Sequence, residues 1–106
     1  MSIINLFSRK KAKKMQYPPL PGSIVRSVSG RDKGAYYIVT EQFDDIYVAV
    51  SDGRYRSVSS PKRKNVRHIA LTGQRIPEKY TVRGKIVITD GEAAAILAGI
   101  GNSENT

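Results

Sequence analysis

A short basic turn between two apolar runs restricts the fold of this chain more than any other feature. Residues 24–28 and 36–39 are rich in Ile, Val and Tyr, and the few residues between them include two glycines and two cations. Apolar runs joined by so short a glycine-containing segment predict an antiparallel β-hairpin. The tip of this hairpin would carry Arg31 and Lys33, which suits the binding of phosphate.

The next residues continue this pattern and predict a mainly β domain. Polar or glycine-containing turns separate five short runs rich in Val, Ile, Tyr and Thr, at 23–29, 35–42, 46–51, 54–58 and 66–70. Five short strands at this spacing are typical of a small barrel whose side chains alternate between a filled interior and a wet exterior. The residues expected in the core are Ile24, Val28, Ile38, Val48, Val50, Val58, Ile69 and Leu71.

The last part of the chain predicts a short helix. Thr89 and Glu92 match a capping box, in which each side chain bonds the backbone amide of the other residue. The alanine-rich residues that follow favour a helix at about 90–99, ended by one of two nearby glycines. Before it, residues 80–89 predict one or two further strands or a bent extended segment.

The chain carries an excess of positive charge that favours a polyanionic partner. Eighteen Lys and Arg against nine Asp and Glu give a formal charge of +9 over 106 residues. Residues 1–14 contribute five cations and no acid, and residues 15–89 contribute thirteen cations and six acids. The body of the protein is basic in its own right, and nucleic acid is the partner expected first.

Composition divides the chain into a basic flexible arm at 1–16, a barrel domain at 17–73 and a C-terminal extension at 74–106. The arm has three interpretations: it inserts into folded RNA, it lies on an anionic membrane, or it is a solubilising tail. The apolar residues available to a membrane are Ile3, Ile4, Leu6 and Phe7. No apolar run is long enough to span a bilayer, the arm does not match a secretory signal, and the chain has no cysteine. We therefore expect a cytoplasmic protein without a membrane partner.

The basic hairpin resembles the KOW motif of ribosomal proteins and of transcription elongation factors of the NusG type. In that family an apolar strand, a basic turn with an invariant glycine and a second apolar strand follow one another, as they do in residues 24–39. Segments within residues 48–69 also resemble the KOW-containing large-subunit ribosomal proteins of eukaryotic type and their stand-alone bacterial relatives. The resemblance covers residues 20–72 and implies an SH3-like barrel that binds RNA, most often ribosomal RNA, without catalysis.

These patterns predict an RNA-binding surface made of the glycine turn and the basic residues that follow it. The predicted contact residues are Gly30, Arg31, Lys33, Gly34, Tyr36, Arg54, Arg56, Lys62, Arg63, Lys64, Arg67 and His68. The glycines would let backbone amides approach a phosphate, the cations would neutralise phosphates, and Tyr36 would be the best tyrosine for stacking on a base. Asp32 would weaken the positive field of the tip. The structural alternatives are ordinary turn glycines, solvated charges and packed tyrosines.

Catalysis and bound cofactors are not expected. One histidine and no cysteine offer no cluster of metal ligands, and Asp44 and Asp45 are adjacent in a turn, where they make a poor acid/base pair. The expected function is RNA binding, with large-subunit ribosomal RNA as the partner and ribosomal proteins as neighbours. The alternative is a protein-interaction module that docks on the transcription or translation machinery.

Overall fold

The computed structural model describes residues 18–105 and the side chains of residues 18–100, so the predicted arm at 1–16 lies outside the described residues. One antiparallel sheet contains five strands, β1 (Ser23–Ser27), β2 (Tyr36–Gln42), β3 (Tyr47–Ser51), β4 (Lys62–Asn65) and β5 (Ile69–Arg75). Their order across the sheet is β4-β3-β2-β1-β5. A hairpin of two short strands follows, β6 (Thr81–Val82) and β7 (Lys85–Ile86), and then a helix, α1 (Asp90–Asn105). Short 3-10 helices at Val66–His68 and Glu78–Tyr80 precede β5 and β6.

The predicted mainly β architecture with five antiparallel strands and a C-terminal helix is confirmed. A closed barrel is not shown, because no backbone ladder joins β4 to β5 within residues 18–105. The strand predicted at 54–58 is wrong. The Asp52 carboxylate accepts hydrogen bonds from the amides of Arg54 and Arg56 at 2.8 and 2.9 Å, and these local bonds close a turn in place of a strand.

The fourth strand along the chain is β4, a polar segment that none of the five predicted strands includes. It pairs with β3 over its whole length, with Lys64 opposite Val48. The strand predicted at 66–70 begins only at Ile69. Before it, the Asn65 side chain accepts a hydrogen bond from the amide of Arg67 at 2.9 Å and starts the 3-10 helix.

Both faces of the central strands are buried, so the outer face of the sheet is not wet as the barrel pattern predicts. The inner face carries one cluster, made of Val25, Tyr37, Val39, Val48, Val50 and Ile69. The outer face of β1 and β2 packs against α1 in a second cluster, made of Ile24, Ile38, Ile76, Ala93 and Leu97. The helix therefore completes the core by covering the sheet.

The two-sided core explains which predicted core residues are buried. Ile24, Ile38, Val48, Val50 and Ile69 are buried as predicted, and Val58 is half-buried against the outer cluster. The predictions for Val28 and Leu71 are wrong, since 36% and 37% of their surfaces are exposed. Val28 lies beyond the end of β1, and Leu71 lies on the edge strand β5.

The capping box at the start of α1 is confirmed. The Thr89 hydroxyl accepts from the amide of Glu92 at 3.1 Å, and the Glu92 carboxylate accepts from the amide of Thr89 at 2.9 Å. The hydrogen bonds from Thr89 lower the pKa of Glu92 from its ordinary value. The helix continues past the predicted end near residue 99, because Leu97 and Ile100 pack on the sheet and outweigh the roughly 1 kcal/mol that a glycine costs inside a helix.

Gly53→Ala is expected to lower the free energy of unfolding by about 3 kcal/mol or more. Gly53 has a φ of +75°, and a Cβ there would run into the carbonyl oxygen of Asp90 and lie 2.9 Å from the amide nitrogen of Ala94. Gly73→Ala is the matched control, because Gly73 has a φ of +83° with nothing within 4 Å of the Cβ position. The control should cost only the backbone strain, about 1–2 kcal/mol. Equal losses in urea unfolding would contradict the packing of the β3–β4 loop on α1.

Candidate nucleic-acid interface

The loop between β1 and β2 forms a tight basic tip. Gly30 and Gly34 have φ values of +85° and +94°, a region that residues with side chains rarely adopt. The amide of Gly34 donates to the carbonyl of Ser27 at 2.8 Å, which closes the loop at its base. Arg31 and Lys33 are exposed on the tip, as the sequence predicts.

Asp32 lies between the two exposed cations but points inward. Its carboxylate accepts hydrogen bonds from the hydroxyls of Ser27 and Tyr37, both at 2.7 Å. The ammonium of Lys64 lies 2.9 Å from both carboxylate oxygens, and that of Lys62 lies 3.3 Å from one of them. Asp32 therefore forms ion pairs with two lysines inside the fold and does not lie at the surface of the tip. The prediction that Asp32 weakens the positive field of the tip is not met.

This network favours the ionised carboxylate. Burial opposes ionisation, but hydrogen bonds from Tyr37, Ser27 and Lys64 outweigh it and hold the pKa of Asp32 well below its ordinary value. Burial and the hydrogen bond to this carboxylate raise the pKa of Tyr37, so its phenol stays protonated at neutral pH. The loop is thus fixed by an ion pair that persists through the neutral range.

The inward direction of Lys62 and Lys64 corrects the predicted basic cluster at residues 62–64. The Lys64 side chain is only 8% exposed, and that of Lys62 is 33% exposed. Because Lys64 is buried against Asp32, its ammonium is not at the surface where a phosphate would bind, and Lys62 shares the same acid. The two lysines belong to the scaffold that positions the hairpin tip.

The β3–β4 loop brings a second pair of cations to the same end of the sheet. The antiparallel order places the β1–β2 and β3–β4 connections at one end and the β2–β3 turn at the other. Arg54 and Arg56 are exposed in this loop. The carbonyl of Arg56 accepts from the hydroxyl of Ser51 at 2.7 Å, which holds this loop against the end of β3.

The 3-10 helix before β5 adjoins the hairpin loop. The amide of Val28 donates to the carbonyl of His68 at 2.9 Å, and the side chains of Arg67 and His68 are exposed. The amide of Val66 in the same 3-10 helix donates to the carbonyl of Ile46 at 2.8 Å, in the turn at the other end of the sheet, so Arg67 lies between the two ends. The structure thus brings four of the predicted contact cations to one end of the sheet. We call this surface the basic end, defined by Arg31, Lys33, Arg54 and Arg56.

Arg63 lies apart from the basic end. Its guanidinium carbon is 4.1 Å from the centroid of the Tyr47 ring and 5.9 Å from that of Phe43, which lies in the β2–β3 turn at the other end of the sheet. Cation–π contacts of this kind hold the guanidinium over the rings. The predicted grouping of Arg63 with the hairpin tip is therefore not met.

The tyrosines differ from their predicted ranking. Tyr36 is half-buried and packs against the outer core cluster, so it is a poor platform for a base. Tyr55, between two exposed arginines, is 89% exposed. Arg26, which the sequence patterns did not single out, is an exposed cation on β1 that pairs with Tyr36 of β2.

The sequence also bears on metal binding, acid/base catalysis and membrane contact. Among the described side chains, at residues 18–100, no group of three or more His, Cys, Asp or Glu is placed to hold a metal ion. The Asp44 carboxylate accepts from the amides of Ile46 and Tyr47 at 2.8 Å, and these bonds lower its pKa from the ordinary value. No helix in the described part of the chain has the length and apolar character needed to cross a membrane.

No protein-family model matches the chain, and no curated protein is significantly similar to it. The resemblance to the KOW motif therefore stands on the residues of this sequence alone.

Asp32→Asn is expected to lower the free energy of unfolding by about 3 kcal/mol, because it leaves the buried Lys64 ammonium without its anion. Lys64→Met should cost less, about 1 kcal/mol, since Ser27, Tyr37 and Lys62 still bond the carboxylate. Urea unfolding at neutral pH measures both variants. A larger loss for Lys64→Met than for Asp32→Asn would contradict this arrangement.

The contribution of Asp32 to the free energy of unfolding is expected to depend on pH. Because the folded-state pKa of Asp32 lies below its unfolded value, the carboxylate contributes its full stability above about pH 5 and loses it as the pH falls from about 4 toward the folded-state pKa. The difference in unfolding free energy between the wild type and Asp32→Asn should therefore shrink on acidification. A difference that widens below about pH 4 would contradict the lowered pKa.

Proposed function

We propose that this protein binds RNA through the basic end. The observation that carries the proposal is the inward position of Asp32, whose carboxylate is engaged by two lysines of β4. The tip consequently presents Arg31 and Lys33 without an anion beside them at the surface. Two exposed arginines of the β3–β4 loop lie at the same end of the sheet and extend the positive surface.

The chemistry of this surface suits a phosphate chain. Three of its four cations are arginines, and a guanidinium binds a phosphate through two parallel hydrogen bonds. Gly30 carries no side chain at the turn, so a phosphate can approach the backbone there closely. The amide of Gly34 is already bonded to the carbonyl of Ser27, so the contribution of Gly34 is to the shape of the loop. Several phosphate contacts made together release counterions from the RNA, which makes the affinity fall steeply with salt.

The curvature of the sheet supports the SH3-like barrel that the resemblance implies. Val48 of β3 and Ile69 of β5 belong to one inner cluster, and Lys64 of the edge strand β4 reaches the β1–β2 loop. On the KOW resemblance, the RNA we propose is ribosomal RNA of the large subunit, bound in the cytoplasm. The proposed role is binding, with no catalytic step.

Charge reversal at the tip, Arg31→Glu with Lys33→Glu, is expected to weaken binding to ribosomal RNA by about 100-fold or more at about 0.1 M salt. The neutral pair Arg31→Ala with Lys33→Ala should reduce the slope of log affinity against log salt by about 1.5 to 2, because two phosphate contacts are lost. Filter binding at rising salt concentration measures both effects.

The matched control is Arg83→Glu with Lys85→Glu. These two exposed cations flank Gly84 in the β6–β7 hairpin, and their reversal changes the net charge by the same amount. The control should weaken binding far less than reversal at the tip. Equal weakening would mean that RNA senses only the net charge of the protein, and the proposed site would be wrong.

A protein-interaction module is the second candidate, favoured by a patch at the opposite end of the sheet. Phe43 and Ile46 are 48% and 52% exposed, and Arg63 lies over the Phe43 ring. Aromatic residues and arginine are enriched in protein interfaces. The transcription or translation machinery, including ribosomal proteins, would supply the partner.

Gradient sedimentation of cell lysate separates the two functions. RNA binding through the basic end predicts that reversal at Arg31 and Lys33 removes the protein from ribosomal fractions, whereas Phe43→Ser with Ile46→Ser leaves it there. The module function predicts the reverse pattern, with the serine variant released and the tip variant retained. The first pattern is the one we expect.

A further inference from the structure

Tyr55 is a large aromatic side chain that takes no part in the core. It is 89% exposed and lies between the exposed residues Arg54 and Arg56 at the basic end. Burying the face of an aromatic ring against a partner is favourable in free energy. On a cationic surface, the complementary partner is a flat, apolar group that is itself attached to anions. A nucleobase joined to its phosphates has this chemistry.

The turn that carries this ring is held by its own hydrogen bonds. The Asp52 carboxylate accepts from the amides of Arg54 and Arg56 at 2.8 and 2.9 Å. The carbonyl of Arg56 in turn accepts from the Ser51 hydroxyl at 2.7 Å and from the Gly53 amide at 3.0 Å. Because the turn is closed before a ligand arrives, binding has little backbone entropy to remove.

The helix α1 supports the same loop from behind. The Asp90 carboxylate accepts from the amide of Val58 at 2.7 Å, and Gly53 packs against the backbone of Asp90 and Ala94. With its backbone fixed on this side, the loop holds Tyr55 toward solvent. Exposure of the ring is therefore a property of the fold at this position.

We propose that the Tyr55 ring is a stacking platform for one unpaired RNA base, with Arg54 and Arg56 on the phosphates to either side. This inference rests on the proposed RNA binding and names its substrate class, RNA with a single-stranded loop, bulge or end. One base stacked on an aromatic side chain changes affinity by a factor of about 5 to 150.

A fully paired duplex does not offer the same surface. Its bases are stacked on one another, and the major groove of an A-form helix is too deep and narrow for side chains to read. Cations bind the phosphates of duplex and single strand alike, whereas the ring gains only from a base whose face is free. The ring thus gives a charge-driven site a preference for unpaired RNA.

Tyr55→Ala tests the proposal with two RNAs that have equal numbers of phosphates, a hairpin with an unpaired loop and a blunt duplex. Affinity for the hairpin should fall about 5- to 150-fold, and affinity for the duplex should stay within about twofold. Tyr55→Phe keeps the ring and should retain hairpin binding. Phe43→Ala, which removes an exposed ring at the other end of the sheet, should change neither affinity.

Tyr55→Trp adds a direct readout, because the chain contains no tryptophan. Stacking of a base on the new indole should quench its fluorescence when the hairpin is added, and the duplex should leave it unchanged.

The outcomes distinguish base stacking on Tyr55 from the proposed RNA binding through the basic end. Unchanged hairpin affinity in Tyr55→Ala, while reversal at Arg31 and Lys33 still abolishes binding, would overturn stacking and leave RNA binding at the basic end intact. Equal losses for hairpin and duplex would assign Tyr55 to the shape of the turn and would also overturn stacking. A wild-type protein that binds neither RNA would overturn both.

Discussion

The rest of the structure depends on the carboxylate of Asp32. It joins the β1–β2 loop to β4, whose two lysines lie 30 and 32 residues further along the chain. Through the hydroxyls of Ser27 and Tyr37 it also ties that loop to both strands of its own hairpin. β4 is an edge strand of four polar residues, so apolar burial alone would hold it weakly. The ion pair between Asp32 and Lys64 instead holds β4 in place, and it fixes the position of the tip against the sheet.

This arrangement sorts the cations by their chemistry. An ammonium is a compact point charge on a flexible stem, and the two lysines of β4 use such groups to reach one acid from two positions. The basic end consists mostly of arginines, whose planar guanidinium groups are suited to bidentate contact with phosphate. Because one carboxylate is used inside the fold, the surface of the tip is free of an anion. The stability of the scaffold and the electrostatics of the proposed site therefore depend on the same residue.

Sequence patterns predicted the features that neighbouring residues decide. The basic hairpin, the first three strands of the sheet and the capping box of Thr89 and Glu92 each depend on residues close together in the chain. The place of β4 and the burial of Lys64 depend on Asp32, and no local pattern distinguishes an inward lysine from a solvated one. Side-chain types alternate in the turn at residues 52–56 as they do in a strand. The Asp52 carboxylate accepts hydrogen bonds from two backbone amides of this segment, so the segment forms a turn and pairs with no strand of the described chain.

The different burial of Tyr36 and Tyr55 is due to α1. The sequence favours Tyr36 for stacking because it closely follows the glycine turn, whereas Tyr55 lies between two cations. The helix covers the outer face of β1 and β2, which leaves Tyr36 half-buried against the outer cluster. The same helix packs against Gly53 and bonds the amide of Val58, which fixes the loop with Tyr55 outward. The resemblance to the KOW motif ends at residue 72, and α1 lies beyond it. Of the described elements, α1 packs most closely against Gly53 of the β3–β4 loop, so it shapes one side of the basic end.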